Sequence, residues 1–282
     1  MKIDLHAHTF YSDGSFSPAE VVNLALERDV KYLAITDHNI ISGIKEAVKT
    51  AEGKPINLIA GIEIDSAVKC SKDPCHIVGL YLDINTPSLK KLLEEITEKK
   101  RIKSAKRLEL VNKYFNSNIT HEELQEKTKG TPGTPHMAMV LLDKNLVKDI
   151  GEGIKLFTKR GTLHFESPEK PLMAEEAIKI IHEAGGLAVL AHLPDYKKEN
   201  KFVSETEQEN LVKELVQYGL DGMEVYLADI SEKDKKFCEK IAKKYKLKVS
   251  CGSDFHNEKF IPQNKLGIID IDPKKITIIR KD

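Results

Sequence analysis

Short, largely apolar runs alternate with helical segments along most of this chain, and few folds accommodate that combination. Ile3 to His6, Tyr32 to Thr36, Ile56 to Ile64 and Ile77 to Leu82 read as strands, as do Leu187 to Ala191, Gly222 to Tyr226, Leu247 to Cys251 and Leu266 to Ile271. A strand that can leave neither face to water must be covered on both. That is the condition of a parallel sheet flanked by helices, either closed as a barrel or open and doubly wound. The intervening segments carry helical signals. Ser17-Pro18-Ala19-Glu20 is a capping box with proline at the first helical position, and Val21, Val22, Ala25 and Leu26 recur behind it at helical spacing. Further helices are expected from Ser42 to a stop at Gly53, from Met173 to Ala184 before Gly185-Gly186, from Glu207 to Tyr218 and from Glu232 to Tyr245.

The alternation breaks once. From about Ser88 to Leu156 the sequence is nearly all helix-like, with a basic stretch from Lys99 to Arg107 and a Gly/Pro/Thr turn at Gly130 to Pro135. This divides the chain into a first barrel part (1–87), a helical insertion that would cap a substrate site (88–165) and a second barrel part (166–282). A length of 282 residues suits one large core with such an insertion. With 44 basic and 44 acidic side chains there is no global field for nucleic acid or membrane, so an anionic substrate must be attracted locally. No secretory signal and no run of about 18 apolar residues is visible, which leads to the expectation of a cytoplasmic protein without a membrane or an obligate protein partner. Cys70, Cys75, Cys238 and Cys251 lack zinc-ribbon spacing and are expected as reduced thiols.

The polar residues that interrupt this pattern fall where strands end. His6 and His8 end the first strand, Asp37 and His38 the second, Glu63 lies near the end of the third, His192 ends the strand after the insertion, and Asp254 and His256 follow a late one. In a parallel barrel all those ends lie on one rim, where barrel enzymes place their catalytic groups. A lone His-x-His is common by chance; the clustering is the signal. Alternation sends His6 and His8 to the same side of their strand, so two imidazoles can share one ion. Imidazole and carboxylate without thiolate suit zinc, manganese or iron, and Glu63 could bridge two ions. Asp13 and His76 join the set, although His76 alone, opening His-Ile-Val-Gly-Leu, would read as a core histidine. His182 near a helix end and His121 at a helix start read as structural, and His164 is unassigned.

In order, His-Ala-His, Ser-Asp-Gly, Thr-Asp-His, Gly-Ile-Glu, His-Ile-Val-Gly, Ala-His and Ser-Asp-Phe-His resemble the polymerase and histidinol phosphatase (PHP) family over nearly the whole chain. The resemblance implies an α/β fold, a distorted seven-stranded β/α barrel, and two or three divalent ions (Mn, Fe or Zn, with Mg also compatible). It implies one ion on His6, His8, Glu63 and Asp254, a second on Glu63, His76 and His192, and a third on Asp13, His38 and His256. Within the family the chain is similar to stand-alone phosphoesterases that remove the 3′-phosphate from nucleoside 3′,5′-bisphosphates, some of which also trim short RNA from the 5′ end. The basic helix around Arg101 and Arg107, Pro135 to Ala138, and Phe157 to Gly161 carry that likeness. Two positions depart from it. Thr134-Pro135-His136 stands where such relatives read Arg-Pro-His, and Ala191-His192-Leu193-Pro194 where they read Ala-His-Pro.

The chemistry that follows is hydrolysis of a small phosphorylated substrate, a nucleotide or a short RNA end. A metal-activated hydroxide would attack phosphorus in line, with His192 or His256 near the leaving group and Asp254 in the same catalytic set. Asp4 and Asp37, beside ligand histidines, would fix imidazole orientation. Arg101, Lys103, Arg107, His136 and Arg160 are candidates for gripping a second phosphate, although basic runs on helices are more often solvated faces. Two other readings stand beside this one. Histidinol-phosphate phosphatases share the metal chemistry but generally lack such an insertion. A catalytically inactive regulatory or nucleic-acid-binding module would not require every ligand, nor fit a net charge of zero.

Overall fold

Seven strands lie side by side in chain order in the computed structural model of the protein, which describes all residues except 72, 159, 166–170, 195, 197–203, 259–260 and 281–282. They are β1 (Lys2–Asp4), β2 (Val30–Ile35), β3 (Asn57–Ser66), β4 (Cys75–Leu80), β5 (Leu187–Leu190), β6 (Gly222–Leu227) and β7 (Lys248–Gly252). Beyond the regular ladder the two edges meet. Leu5 N–H donates to Cys251 O at 3.1 Å, His8 N–H to Phe255 O at 2.8 Å, and Ala7 bridges Phe255 in parallel. Apolar residues contributed by strands from β1 to β7, among them Ile3, Ala34, Ile59, Val78, Val189 and Cys251, converge in one buried cluster, as the inside of a closed sheet requires. The result is the expected distorted barrel.

Two expectations are corrected. The sheet is not parallel throughout, because β4 runs antiparallel to both β3 and β5. Only residues 67–74 connect β3 to β4, fewer than the dozen or so a parallel crossover needs, so the chain turns back on itself. Nor do Leu266 to Ile271 form a strand. Gly267 turns in the left-handed region (φ +68°), and only isolated bonds reach β1, such as Ile3 N–H to Ile269 O at 3.2 Å. Just past β1, Leu5, Ala7 and His8 pair with Cys251 and Phe255 instead, so contact with 266–271 stays confined to the first residues of the chain. Ile269, Ile276 and Ile278 still bury their side chains in the barrel cluster.

Helices α1 (Pro18–Glu27), α2 (Ile44–Ala51), α7 (Ala174–Glu183), α8 (Glu205–Gln217) and α9 (Glu232–Tyr245) accompany the sheet. The Ser17/Glu20 capping box forms as read, with Ser17 accepting from Glu20 N–H and Glu20 from Ser17 N–H. Between β4 and α7 lie α3 (Pro87–Phe115), α4 (His121–Gln125), α5 (Thr134–Asp143) and α6 (Ile150–Lys155); Leu89 and Leu93 of α3 join the main core, while Val111, Leu124, Met137, Leu141 and Phe157 form a second apolar cluster where the insertion is expected. It is tied to the rim loop between β1 and α1. Thr128 Oγ1 lies 3.0 Å from Phe10 O and 3.1 Å from Ser12 O, and Lys129 N–H donates to Phe10 O at 2.9 Å. A Cβ on Gly130 would fall 1.9 Å from Tyr11 O, so this approach requires glycine there. The expected start of the second barrel part, at 166, lies outside the described residues. Among the described residues no helix is long and apolar enough to cross a membrane.

Candidate metal centre

The strand ends carry nine side chains toward one point. Glu63, fully buried on β3, is at its centre. Its Oε2 lies 3.3 Å from His6 Nε2, 3.3 Å from His8 Nε2 and 3.2 Å from His38 Nε2, and its Oε1 lies 3.0 Å from both His76 Nδ1 and His192 Nε2. Asp254 Oδ1 approaches His6 Nε2 and His8 Nε2 at 3.5 and 3.2 Å, and Asp13 Oδ1 approaches His256 Nε2 at 3.2 Å. The donor atoms thus fall into the three overlapping groups set out above, with His8 also joining Asp13, His38 and His256; within each group the atoms lie within 4.8 Å of one another. A fourth such group is His38, Asp65 and His76.

The outer nitrogens decide what the inner ones can do. His6 Nδ1 faces Glu224 Oε1 at 2.9 Å, His256 Nδ1 faces the Asp254 carbonyl at 2.9 Å, and His8 Nδ1 faces Ser12 Oγ at 3.4 Å. A ring that donates outward presents a lone pair inward. Yet His6 Nε2 and His8 Nε2 are 3.1 Å apart, and both face the oxygens of Glu63 and Asp254. So many acceptors in one buried place require positive charge among them, as protons or as metal ions.

Without ions the rings themselves must carry it. Burial opposes the charged form of His38, but Glu63, Asp13 and Asp65 overcome it and raise the pKa to about 10. Burial likewise opposes protonation of His256, and Asp13 and Asp254 raise it to about 9. Burial would raise Glu63, Asp13 and Asp254, yet the neighbouring imidazoles hold all three carboxyls well below their ordinary range. Glu63 Oε2 and Asp13 Oδ1 remain buried without a hydrogen bond. Orphaned buried carboxylate oxygens beside inward imidazole nitrogens are the donor set of a divalent cation with nitrogen and oxygen ligands.

The groups that orient these rings differ from those expected. Asp4 accepts from Ser253 N–H (2.9 Å), Ser253 Oγ–H (2.6 Å) and Gly267 N–H (2.7 Å). Asp37 accepts from Thr9 N–H (2.7 Å), Thr9 Oγ1–H (2.6 Å) and Ser12 Oγ–H (2.6 Å). Each pins a loop that carries ligands, and among the described residues neither bonds an imidazole. Glu224 faces the outer nitrogen of His6 and Asp65 that of His38, and both were missed in the sequence. Asp65 Oδ1 is 3.0 Å from His38 Nδ1 and 3.8 Å from His76 Nε2, and Asn39 Nδ2 donates to its Oδ2 at 2.8 Å. Signals for both existed. Asp65 stands two residues beyond Glu63 and therefore on the same strand face, and Glu224 is a carboxylate within an otherwise apolar strand, where burial demands partners.

The basic residues of the insertion separate into distinct environments. Arg101 is two-thirds exposed (66%) and turned toward Glu98 at 3.5 Å, so it belongs to the solvated face. Arg107 packs over the Phe157 ring at 5.6 Å, and burial lowers its pKa to about 10. Lys103 is half-buried and Arg160 exposed. Lys100, not singled out beforehand, comes within 3.8 Å of Asp65 Oδ2. His136, in the first turn of α5 behind Thr134, is buried. Its Nδ1 accepts from Gly133 N–H at 2.9 Å, leaving Nε2 buried without a partner, while burial lowers the ring's pKa against the pull of Asp13. The two histidines read as structural are placed so: His182 bonds Asp221 at 2.7 Å on the outside of the sheet, and His121 opens α4.

Comparison with known proteins agrees with this geometry. Residues 4–245 match the PHP domain family. The chain is 32% identical over 257 residues to a 5′-3′ exoribonuclease of Haemophilus influenzae, covering 90% of each protein. It is 30% identical over 260 residues to a 3′,5′-nucleoside bisphosphate phosphatase of Chromobacterium violaceum, covering 90% of this chain and 87% of that one. Among solved structures, an amidohydrolase from Chromobacterium violaceum with bound sulfate and no metal superposes with a TM-score of 0.79 at 28% identity, over 91% of this chain and 88% of that one.

Proposed function

This chain belongs to the PHP domain family, and on that premise we propose that it hydrolyses phosphate monoesters of small nucleotides, such as the 3′-phosphate of a nucleoside 3′,5′-bisphosphate, or acts at the ends of short RNA. The reaction class is metal-dependent phosphoric ester hydrolysis. The observation that carries it is the convergence of five imidazole nitrogens on the two oxygens of Glu63, a buried carboxylate with an orphaned oxygen.

Divalent ions held there would lower the pKa of a water molecule and neutralise charge on the transferring phosphoryl oxygens. The chain's own part is to hold and orient. Glu63 would be shared by two ion positions, His6, His8 and Asp254 completing one and His76 and His192 the other, while Asp13, His38 and His256 would form the third. Both ring nitrogens of His256 are engaged, Nε2 by Asp13 and Nδ1 by the Asp254 carbonyl, and His192 Nε2 points at Glu63. These contacts favour a ligating role for both rings over proton transfer to the leaving group.

Support for a second phosphate contact comes from the insertion. His136 carries a buried, unpartnered Nε2–H, Arg107 is a partly buried cation, and Lys100 reaches Asp65 beside His38. Hydrogen bonds to charged groups contribute about 1.5–3 kcal/mol. Lys100→Met or Arg107→Met is accordingly expected to raise KM for a 3′,5′-bisphosphate by about tenfold or more, with a smaller effect on a monophosphate, whereas Arg101→Met should change neither by more than about twofold. Equal effects on both substrates would remove Lys100 and Arg107 from the site. The substrate reading is tested by steady-state assays of Mn²⁺-loaded protein on 3′,5′-bisphosphoadenosine, AMP, histidinol phosphate and a 5′-phosphorylated RNA oligomer. Preference for histidinol phosphate would overturn the nucleotide reading, and hydrolysis of none would overturn the enzyme.

A further inference from the structure

We infer that Glu224 is a positioning residue that holds two ion positions in register, one through the ring of His6 and the other through the backbone of His192; this rests on reading the rim cluster as a metal centre. Glu224 is buried on β6, and its two oxygens are committed to different parts of the cluster. Oε1 accepts from His6 Nδ1–H at 2.9 Å, and Oε2 accepts from His192 N–H at 2.7 Å. The first bond keeps a proton on Nδ1, so Nε2, which faces Glu63 and Asp254, is the nitrogen left to take an ion. The second acts on conformation.

His192 has φ +28°, in a region that a residue with a Cβ rarely adopts, and such a backbone persists only where its surroundings over-determine it. The N–H bond to Glu224 supplies that constraint, and the ring of His192 reaches Glu63 Oε1 at 3.0 Å from this strained backbone. Gly252 shows how closely the arrangement is built. A Cβ there would fall 2.3 Å from His6 Cβ and 3.0 Å from Glu224 Oε1, so β7 leaves the space that lets the carboxylate and the ring meet. With both oxygens bonded to protein N–H groups, Glu224 is not a ligand itself. It fixes two of them.

The test is chelator-competition titration of wild-type and Glu224→Gln protein with Mn²⁺, with folding of the ion-free variant checked by circular dichroism. Glutamine keeps the shape and one acceptor but turns an NH₂ toward one of the two N–H groups. Affinity at two positions is expected to fall about 10- to 100-fold, with the number of ions bound at saturation unchanged and kcat reduced more than KM. An unchanged titration would overturn the inference, and loss of a bound ion at saturation would make Glu224 a ligand and overturn it equally. Wild-type protein that binds no ion would overturn this inference together with the metal-centre reading, which separates the two failures. One measurement needs no variant. In Zn²⁺-loaded wild-type protein, ¹⁵N imidazole shifts should show His6 protonated at Nδ1, and protonation at Nε2 would refute the proposed role.

Discussion

Glu63→Gln is expected to lower phosphoesterase turnover by about three orders of magnitude or more, even at saturating Mn²⁺. The magnitude follows from position. Glu63 Oε2 faces three imidazoles and Oε1 faces two, so this one side chain belongs to two of the three ion groups. The amide retains one acceptor and places an NH₂ among inward nitrogens that offer lone pairs. Elemental analysis should find fewer ions in the variant, whereas wild-type protein stripped by chelator should regain both ions and turnover when Mn²⁺ is returned. In the ion-free state the substitution also removes the counter-charge of several buried imidazolium rings, a change that typically costs about 3–5 kcal/mol, so the ion-free variant should melt at a lower temperature. Turnover within about tenfold of wild type at saturating Mn²⁺ would mean that Glu63 does not hold the reacting ions.

How much of this was legible in the sequence depended on whether the deciding interaction was local. His6, His8, His38, Glu63, His192, Asp254 and His256 could be placed together because each stands at or just beyond the end of an apolar run, and barrel topology sends those ends to one rim. The direction of β4 was also available in principle, since residues 67–74 are too few for a crossover. Glu224 and Asp65 needed more: each is one carboxylate on a strand, and only the neighbouring strand shows which ring it meets. Asp4 and Asp37 illustrate the converse. Close to ligand positions in sequence, they are taken up by loop residues Ser253, Gly267, Thr9 and Ser12 instead. On the insertion, Lys100 and Arg101 differ by one residue, which is about 100° around a helix. Composition cannot say which of them turns toward Asp65 and which toward Glu98, because the packing of α3 against the rest of the protein decides it.

Ion affinity should rise steeply with pH between about 7 and 9 and flatten above about 10, because binding must expel protons that the ion-free centre holds. His38 and His256, with pKa values raised to about 10 and about 9 from 6.5, are both protonated at pH 7.5, so full loading releases at least two protons. Each released proton contributes up to about tenfold in apparent affinity per pH unit while its ring remains charged. Calorimetric titration in Tris and in Hepes, whose ionisation enthalpies differ, counts the protons directly; no release, or an affinity flat from pH 7 to 9, would contradict the protonated cluster. The same rings give the ion-free fold its own pH dependence. Because their folded pKa values lie above 6.5, their stabilisation is fully present below that pH and is lost as pH rises through 9 and 10. Glu63, Asp13 and Asp254 are depressed, so their contribution is present above the ordinary carboxylate range and is lost on acidification through their low folded values. Ion-free protein should therefore melt at progressively lower temperature from pH 6.5 to 10, whereas Mn²⁺-loaded protein should not, since a bound ion supplies at alkaline pH the positive charge that protons supply near neutrality.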